Sequence, residues 1–243
     1  MFPPIISSMQ IGFYIKRIFF FPLLITLIIF STGCSRKANQ LPNPVAGGPV
    51  TDIDGNVYKT VVIGNQVWMA ENLRVTRYNN GDQIPGVSDS SWVSLTTGAY
   101  CYYNNDSARN RKSYGALYNW YALPDSRGLA PAGWHIPSDE DWTILTKFLG
   151  GDSIAAIKLK ETGKTHWLSP NATSTNQTGF TALPGGSIYG SKGFTYLGNY
   201  GYWWSSTEQS SATGWFRGMY FSSSVFRNYS AKSNGYSVRC IKN

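Results

Sequence analysis

The sequence predicts a β- and loop-rich globule, and three observations predict it. Aromatic residues make up 15% of the 243 positions and charged residues only 14%, against about 25% charged in a typical soluble domain. Short alternating apolar runs recur between Gly- and Asn-containing turn signals. Helical periodicity is confined to one stretch near the middle and a shorter one just after it. A long coiled coil would need heptads of Glu, Lys and Leu, and disorder goes with few aromatics. The 9 Trp, 16 Tyr and 12 Phe exclude both. The net charge of +8 is spread along the chain. No Lys/Arg run of the kind that neutralises phosphates is present, so no nucleic-acid partner is expected.

The N-terminus reads as an export signal. Lys16 and Arg17 precede the apolar run Ile18 to Phe30, which ends in Ser31-Thr32-Gly33-Cys34. A positive segment, an apolar run and small residues make a secretory signal peptide, expected over residues 1–33 with Met1 or Met9 as its start. The run is shorter than the roughly 20 residues of a membrane span. Ser31-Thr32-Gly33-Cys34 resembles a bacterial lipobox, which implies diacylglycerol on the Cys34 thiol and an acyl-chain anchor such as palmitate. Residues 34–49, rich in Pro, Gly and Asn, read as a tether, and the folded domain is expected over 50–243.

Within that domain, Thr51 to Leu73 reads as a hairpin or meander, with Asp54-Gly55 and Gly64-Asn65 as its turns. Tyr100 to Tyr103 reads as a short strand and Asn104 to Lys112 as a polar loop. Tyr114 to Ala122 reads as a helix turn or a buried run. Ser138 to Leu149 is the clearest helix: Ser138 and Asp141 have capping-box spacing, and Trp142, Leu145 and Leu149 share a face. Gly150-Gly151 stops it. Asp152 to Glu161 offers a second helix, and from Phe180 onward the chain looks β. A secreted compartment permits disulfides, so the remaining Cys101 and Cys240 are expected to pair.

These residues also carry a family signature. Asp52-Ile-Asp-Gly-Asn-Val-Tyr58, Ile63-Gly-Asn-Gln-Val-Trp-Met-Ala-Glu-Asn-Leu-Arg74, Tyr114-Gly-Ala-Leu-Tyr-Asn-Trp120, Gly133-Trp-His-Ile-Pro-Ser138, Trp203-Trp-Ser-Ser-Thr-Glu208 and Ser237-Val-Arg-Cys-Ile241 occur in this order. Together they resemble the Fibrobacter succinogenes major paralogous domain, found in secreted proteins and lipoproteins. Ile136-Pro-Ser-Asp-Glu-Asp-Trp142 and the Gly235-Tyr-Ser-Val-Arg-Cys ending are similar to formylglycine-generating-enzyme-like domains. That wider resemblance implies an α+β domain of C-type-lectin-like fold, a twisted antiparallel sheet with one or two helices and long loops.

Candidate chemistry is sparse. Formylglycine-type oxidation needs reactive thiols, and Cys101 and Cys240 look structural. Asp139, Glu140 and Asp141 suit a helix N-terminus, and Glu71 and Glu208 read as buried carboxylates rather than a hydrolytic pair. His135 and His166 are read as packing. Asp52-x-Asp54-Gly-Asn56 is a turn, not a calcium loop. No metal or other cofactor is expected.

The remaining hint is aromatic. Tyr200, Tyr202, Trp215, Arg217, Arg227 and Tyr229 form a candidate ligand-contacting set, since exposed Tyr, Trp and Arg anchor recognition surfaces. Trp203 and Trp204 are assigned to the core. The expected function is a lipid-anchored binding or adhesion module of the bacterial envelope. It would sit at the outer membrane and take a glycan or protein ligand. A glycan-acting hydrolase and a purely structural envelope protein are the alternatives.

Overall fold

The computed structural model describes residues 44–243, apart from Ser88 and Ser169. The segment expected to be a signal peptide (1–33), Cys34 and the first part of the expected tether lie outside the described residues. The domain is mixed α/β, with three α-helices and several antiparallel sheets. Among the described residues no helix is long and apolar enough to cross a membrane.

One five-stranded sheet runs Val45–Ala46, Thr60–Ile63, Gln66–Met69, Ile241–Lys242, Trp134–His135. Its hairpin turns at Gly64-Asn65, with Ile63 opposite Gln66. The last strand pairs with both Trp68 and His135, so the C-terminus closes onto the first hairpin. The end of the expected tether is part of this sheet: Val45 and Ala46 pair with Val62 and Val61. A Pro- and Gly-rich segment can still add an edge strand where two of its residues are free of proline. A second five-stranded sheet runs Phe194–Thr195, Ser187–Ile188, Gly235–Tyr236, Leu117–Asn119, Tyr100–Cys101. The longest strands form a third sheet: Gly201–Ser210, Thr213–Met219 and Val225–Ala231.

Three helices complete the fold: α1 (Ser107–Tyr114), α2 (Asp139–Phe148) and α3 (Asp152–Leu159). The capping box of α2 is present, with the Ser138 side chain accepting from Asp141 N and the Asp141 carboxylate accepting from Ser138 N. The polar stretch read as a loop is instead α1. Asp106 caps it by accepting from Arg109 N. Only Asn110 of α1 is buried, so the helix carries no apolar stripe to reveal it. Asn110 donates to Tyr103 O, and Arg111 donates to Tyr102 Oη and Asn56 Oδ1. Tyr114 to Ala122 resolves as the buried strand Leu117–Asn119 and a 3-10 turn.

The third sheet separates two apolar cores. Successive side chains on a strand point to opposite faces, and Trp203-Trp204 sends one fully buried indole into each. Trp203 packs with Trp142 and Phe180 beneath α2, and both of those rings pack in turn on Trp68. Trp204 packs with Phe216 and Tyr236, and its Nε1 donates to Tyr118 O.

The motifs that define the sequence converge on Asn72. Its Oδ1 accepts from Trp203 Nε1 at 2.9 Å and from Arg239 Nη2 at 2.9 Å and Nε at 3.2 Å. Its Nδ2 donates to Tyr114 O at 2.9 Å and Ser237 Oγ at 3.2 Å. Gly115, at φ +73, lets Tyr114 come this close, because a Cβ there would lie 2.7 Å from Leu73 O and 2.8 Å from Asn72 Cβ. Arg239 is 1% exposed. Its guanidinium donates to Phe180 O as well as to Asn72 and lies 4.1 Å over the Phe180 ring. Burial pulls its pKa below the usual guanidinium range, and this fork of acceptors holds the charge in an apolar setting.

The expected Cys101–Cys240 disulfide is not formed. Cys101 is buried among Trp92, Tyr103, Leu117 and Ile188, whereas Cys240 belongs to the larger core with Val238. Each sulfur fills apolar space in a different cluster, and burial pushes the Cys240 thiol well above its ordinary range. The protein is therefore expected to show these thiols reacting with iodoacetamide only after unfolding. A non-reduced protein whose mass is lower by two hydrogens would contradict this.

Replacing Asn72 by Ala leaves Trp203 Nε1 and part of a buried guanidinium without an acceptor. Urea unfolding should show a loss of about 3–5 kcal/mol, the scale for orphaning a buried charge. The exposed Asn80→Ala should change stability by less than about 0.5 kcal/mol.

Candidate functional site

The cavity that stands out lies on the Trp204 side of the third sheet and has a volume of about 390 Å3. This is within the range of about 300–1,000 Å3 of small-molecule sites. Phe216 and Phe226 form the floor with Tyr202 and Tyr236. Tyr189, Lys192, Tyr196 and Asn228 stand at the rim, with Ser187, Thr195 and Ser230 between them. Tyr189, Tyr196 and Tyr229 are about half exposed, at 44%, 51% and 53%.

The walls are built from a ladder of tyrosines. Tyr200 and Tyr202 stack at 5.6 Å with an interplanar angle of 2°. Tyr220 stacks on Tyr200 at 5.3 Å and 9°, and Tyr202 on Tyr236 at 5.0 Å and 24°. Phe216 and Phe226 meet Tyr202 edge-on. Each ring is fixed by its neighbours, so the surface is preset rather than assembled on binding. Gly218 opens the space. It pairs with both Tyr202 and Phe226 across the sheet, and a Cβ there would come within 2.1 Å of the Phe226 ring. Tyr196 adopts φ +67, a costly conformation for an aromatic residue, of the kind that recurs at ligand sites.

The polar groups of the cavity are mostly hydroxyls. Tyr236 Oη and Asn234 Nδ2 both donate to Ser230 Oγ, and Ser187 and Thr195 hydroxyls lie 3.0 Å apart. Burial raises the pKa of Tyr202 and of Tyr236 well above the usual phenol range, so both stay protonated at neutral pH.

The sequence-predicted ligand set does not form one surface. Tyr200 and Tyr202 line the cavity. Trp215, Arg217 and Arg227 project from the other face of the sheet, as the pairs Trp215 with Tyr229 and Arg217 with Arg227 require. Tyr229 borders the cavity, but its ring packs edge-on against Trp215 at 5.7 Å. Arg217, 2% exposed, fastens α2 to the sheet. Its Nη1 lies 2.6 Å from Asp139 Oδ1, and its Nη2 donates to Asp139 O and Thr143 Oγ1. Arg227 pairs with Asp139 at 2.9 Å and lies 3.4 Å over the Trp215 ring. Both arginines serve α2, whose first-turn carboxylates also offset its dipole. Tyr189, Lys192, Tyr196, Phe216, Phe226 and Tyr236 were missed as site residues. Tyr200 and Tyr202 stand at i, i+2 in the sequence, but the cross-strand register that unites them with Phe216, Phe226 and Tyr236 is not legible there.

The other polar candidates are satisfied by partners. Asp52 accepts from Tyr58 Oη at 2.5 Å and from the Asn56 backbone at 2.9 Å, which makes the Asp54-Gly55 segment a turn. Glu208 pairs with Lys232 and Glu71 with Arg74, and with side chains 52% and 36% exposed neither is the buried carboxylate expected from the sequence. His135 contacts Asn243 and Asp141, and His166 contacts Glu161. Among the described residues no group of His, Cys, Asp or Glu is placed to hold a metal ion.

Lys160, 1% exposed, reaches under the loop beside the cavity and donates to Tyr220 O at 2.8 Å and Ser222 O at 3.1 Å. Burial without a carboxylate lowers its pKa to about 8.

With this geometry in view, sequence comparison identifies the class. The family model of the Fibrobacter succinogenes major domain matches residues 61–242. The chain belongs to that family. No curated protein and no solved structure matches it.

Two measurements follow from these placements. Asp139→Asn leaves the buried Arg217 guanidinium without its counter-charge and should lose about 3–5 kcal/mol in urea unfolding, whereas Arg227→Ala, at an exposed pair, should lose less than about 1 kcal/mol. Lys160 binds its proton less tightly when folded. The unfolded chain therefore holds more protons between pH 8 and the ordinary lysine range, and stability should rise with pH from about 8 to 10. Lys160→Met should flatten that rise in denaturant midpoints measured across the window.

Proposed function

We propose that this protein is a lipid-anchored binding module of the bacterial envelope that holds a glycan in the tyrosine-lined cavity. The observation that carries the reading is the composition of the lining: six Tyr and two Phe side chains, hydroxyls, one amide and one lysine, with no Asp or Glu. Aromatic faces suit the C–H faces of sugar rings, and phenol, Ser and Asn groups suit sugar hydroxyls. Glycoside hydrolysis uses two carboxylates across the scissile bond, so an acid-free lining favours binding over cleavage. The C-type-lectin-like resemblance agrees with this location, because ligands of that fold meet loops leading into the last strands. On that resemblance the loops run from Gly198 to Ser233, and the turn entering the Gly201–Ser210 strand, with Tyr200, borders the cavity. The lipobox-like Ser31-Thr32-Gly33-Cys34 supports attachment to the outer membrane through acylated Cys34.

A glycan array probed with the intact purified protein tests the reading. Tyr196→Ala and Tyr200→Ala should each weaken binding of a retained glycan by about 1–3 kcal/mol, the scale of an interface anchor, with melting temperatures close to that of the parent. Trp215→Ala, on the other face, should leave binding unchanged. The reverse ranking would move the site to the Trp215 face.

The anchor is tested separately. Cys34→Ala should abolish palmitate labelling and shift the protein from the membrane to the soluble fraction, since acyl chains supply the attachment. A wild type that takes up no palmitate would contradict the anchor.

A further inference from the structure

We infer that the cavity selects a carboxylated sugar, a hexuronic acid residue, with Lys192 as the group that reads its charge. The inference rests on the glycan-binding reading and deepens it.

Lys192 is the one charged side chain among the lining residues. Most other cations close to this sheet are already engaged. Lys232 is paired with Glu208, and both Arg217 and Arg227 are paired with Asp139. Lys160 is capped by two backbone carbonyls. Lys192 has no such partner: among the described residues no carboxylate forms an ion pair with it, and its ammonium lies 5.7 Å from the centre of the Tyr189 ring. The cavity it borders contributes no negative charge of its own. A cation with no carboxylate partner among the described residues, at the mouth of a partly apolar recess, concentrates its field there.

The turn that carries Lys192 is held in place. Lys192 N donates to Tyr189 O at 3.0 Å, and Tyr189 N donates to Gly193 O at 2.9 Å. Gly190 N donates to Asn234 Oδ1 at 2.9 Å, which ties the turn to the segment that ends in Tyr236. The base of the lysine is thus fixed relative to the tyrosine ladder, while its side chain keeps the reach to meet a ligand. The remaining lining groups suit the same ligand. Protonated phenols donate to a carboxylate rather than repel it. The half-exposed rings of Tyr189 and Tyr196 at the rim offer a surface for a pyranose ring, backed by the tyrosine ladder. One cation, an aromatic wall and no anion match a ring that bears a single carboxylate. A neutral sugar would leave the ammonium without a counter-charge.

Matched oligosaccharide pairs test this on the intact protein: glucuronate against glucose, galacturonate against galactose, and mannuronate against mannose. Binding is measured by calorimetry at low salt and at 0.3 M NaCl. The inference expects at least one uronate oligomer to bind ten-fold or more tightly than its neutral partner. That preference should fall several-fold in high salt, vanish in Lys192→Gln and persist in Lys192→Arg. Lys192 is exposed, so neither variant should lower the melting temperature. Equal binding of acidic and neutral partners, or a preference that survives in Lys192→Gln, overturns the inference and leaves glycan binding standing. No binding of any oligomer overturns both.

Discussion

The domain depends on how one carboxamide is satisfied. Asn72 is 4% exposed, and its side chain reaches residues 131 and 167 positions away in sequence, Trp203 and Arg239. Its oxygen takes the indole N–H and the guanidinium, and its nitrogen takes Tyr114 O and Ser237 Oγ. The backbone beside it follows: Leu73 N donates to Val238 O, and Ala116 N donates to Leu73 O. Four separated segments are therefore locked by one amide. Buried polar networks of this kind specify a unique arrangement when every member is paired.

That lock positions the cavity indirectly. Trp203 is held by Asn72, so the start of the Gly201–Ser210 strand is fixed in depth. Alternation then places Tyr202 and Trp204 on the opposite side from Trp203, where Tyr202 joins the ladder and Trp204 supports Tyr236. Arg217 fastens the middle strand to α2 from below. Gly218, the next residue, clears the space above for the Phe226 ring. One face of the sheet is thus committed to holding the helix, and the other is left to present aromatic rings.

Much of this was legible in the chain. The α2 helix was written in Ser138, Asp141 and the Trp142, Leu145, Leu149 stripe. The first hairpin was written in Gly64-Asn65 and its flanking apolar runs. The assignment of Trp203 and Trp204 to the core followed from the burial habit of tryptophan. What was not legible depended on partners far away in sequence. The polar helix α1 is stabilised by Asp106, Asn110 and Arg111 contacts rather than by an apolar face. The strand at Val45–Ala46 exists because Val61 and Val62 offer it an edge. In the linear sequence Trp215, Arg217 and Arg227 group with Tyr202, whereas strand alternation puts them on the other face. Cysteine count alone pairs Cys101 with Cys240, whereas each occupies its own apolar cluster.

The central claim is that the tyrosine-walled recess, and not the Trp215 face, is where the protein meets its ligand. NMR amide mapping during titration with a retained oligosaccharide tests it most directly. Shift changes should concentrate at Ser187–Tyr202 and at Phe226, Asn228, Ser230 and Tyr236, with Asp139, Thr143 and Arg217 unmoved. Changes centred on Trp215, Arg227 and the start of α2, with the Tyr196–Tyr202 segment silent, would contradict it.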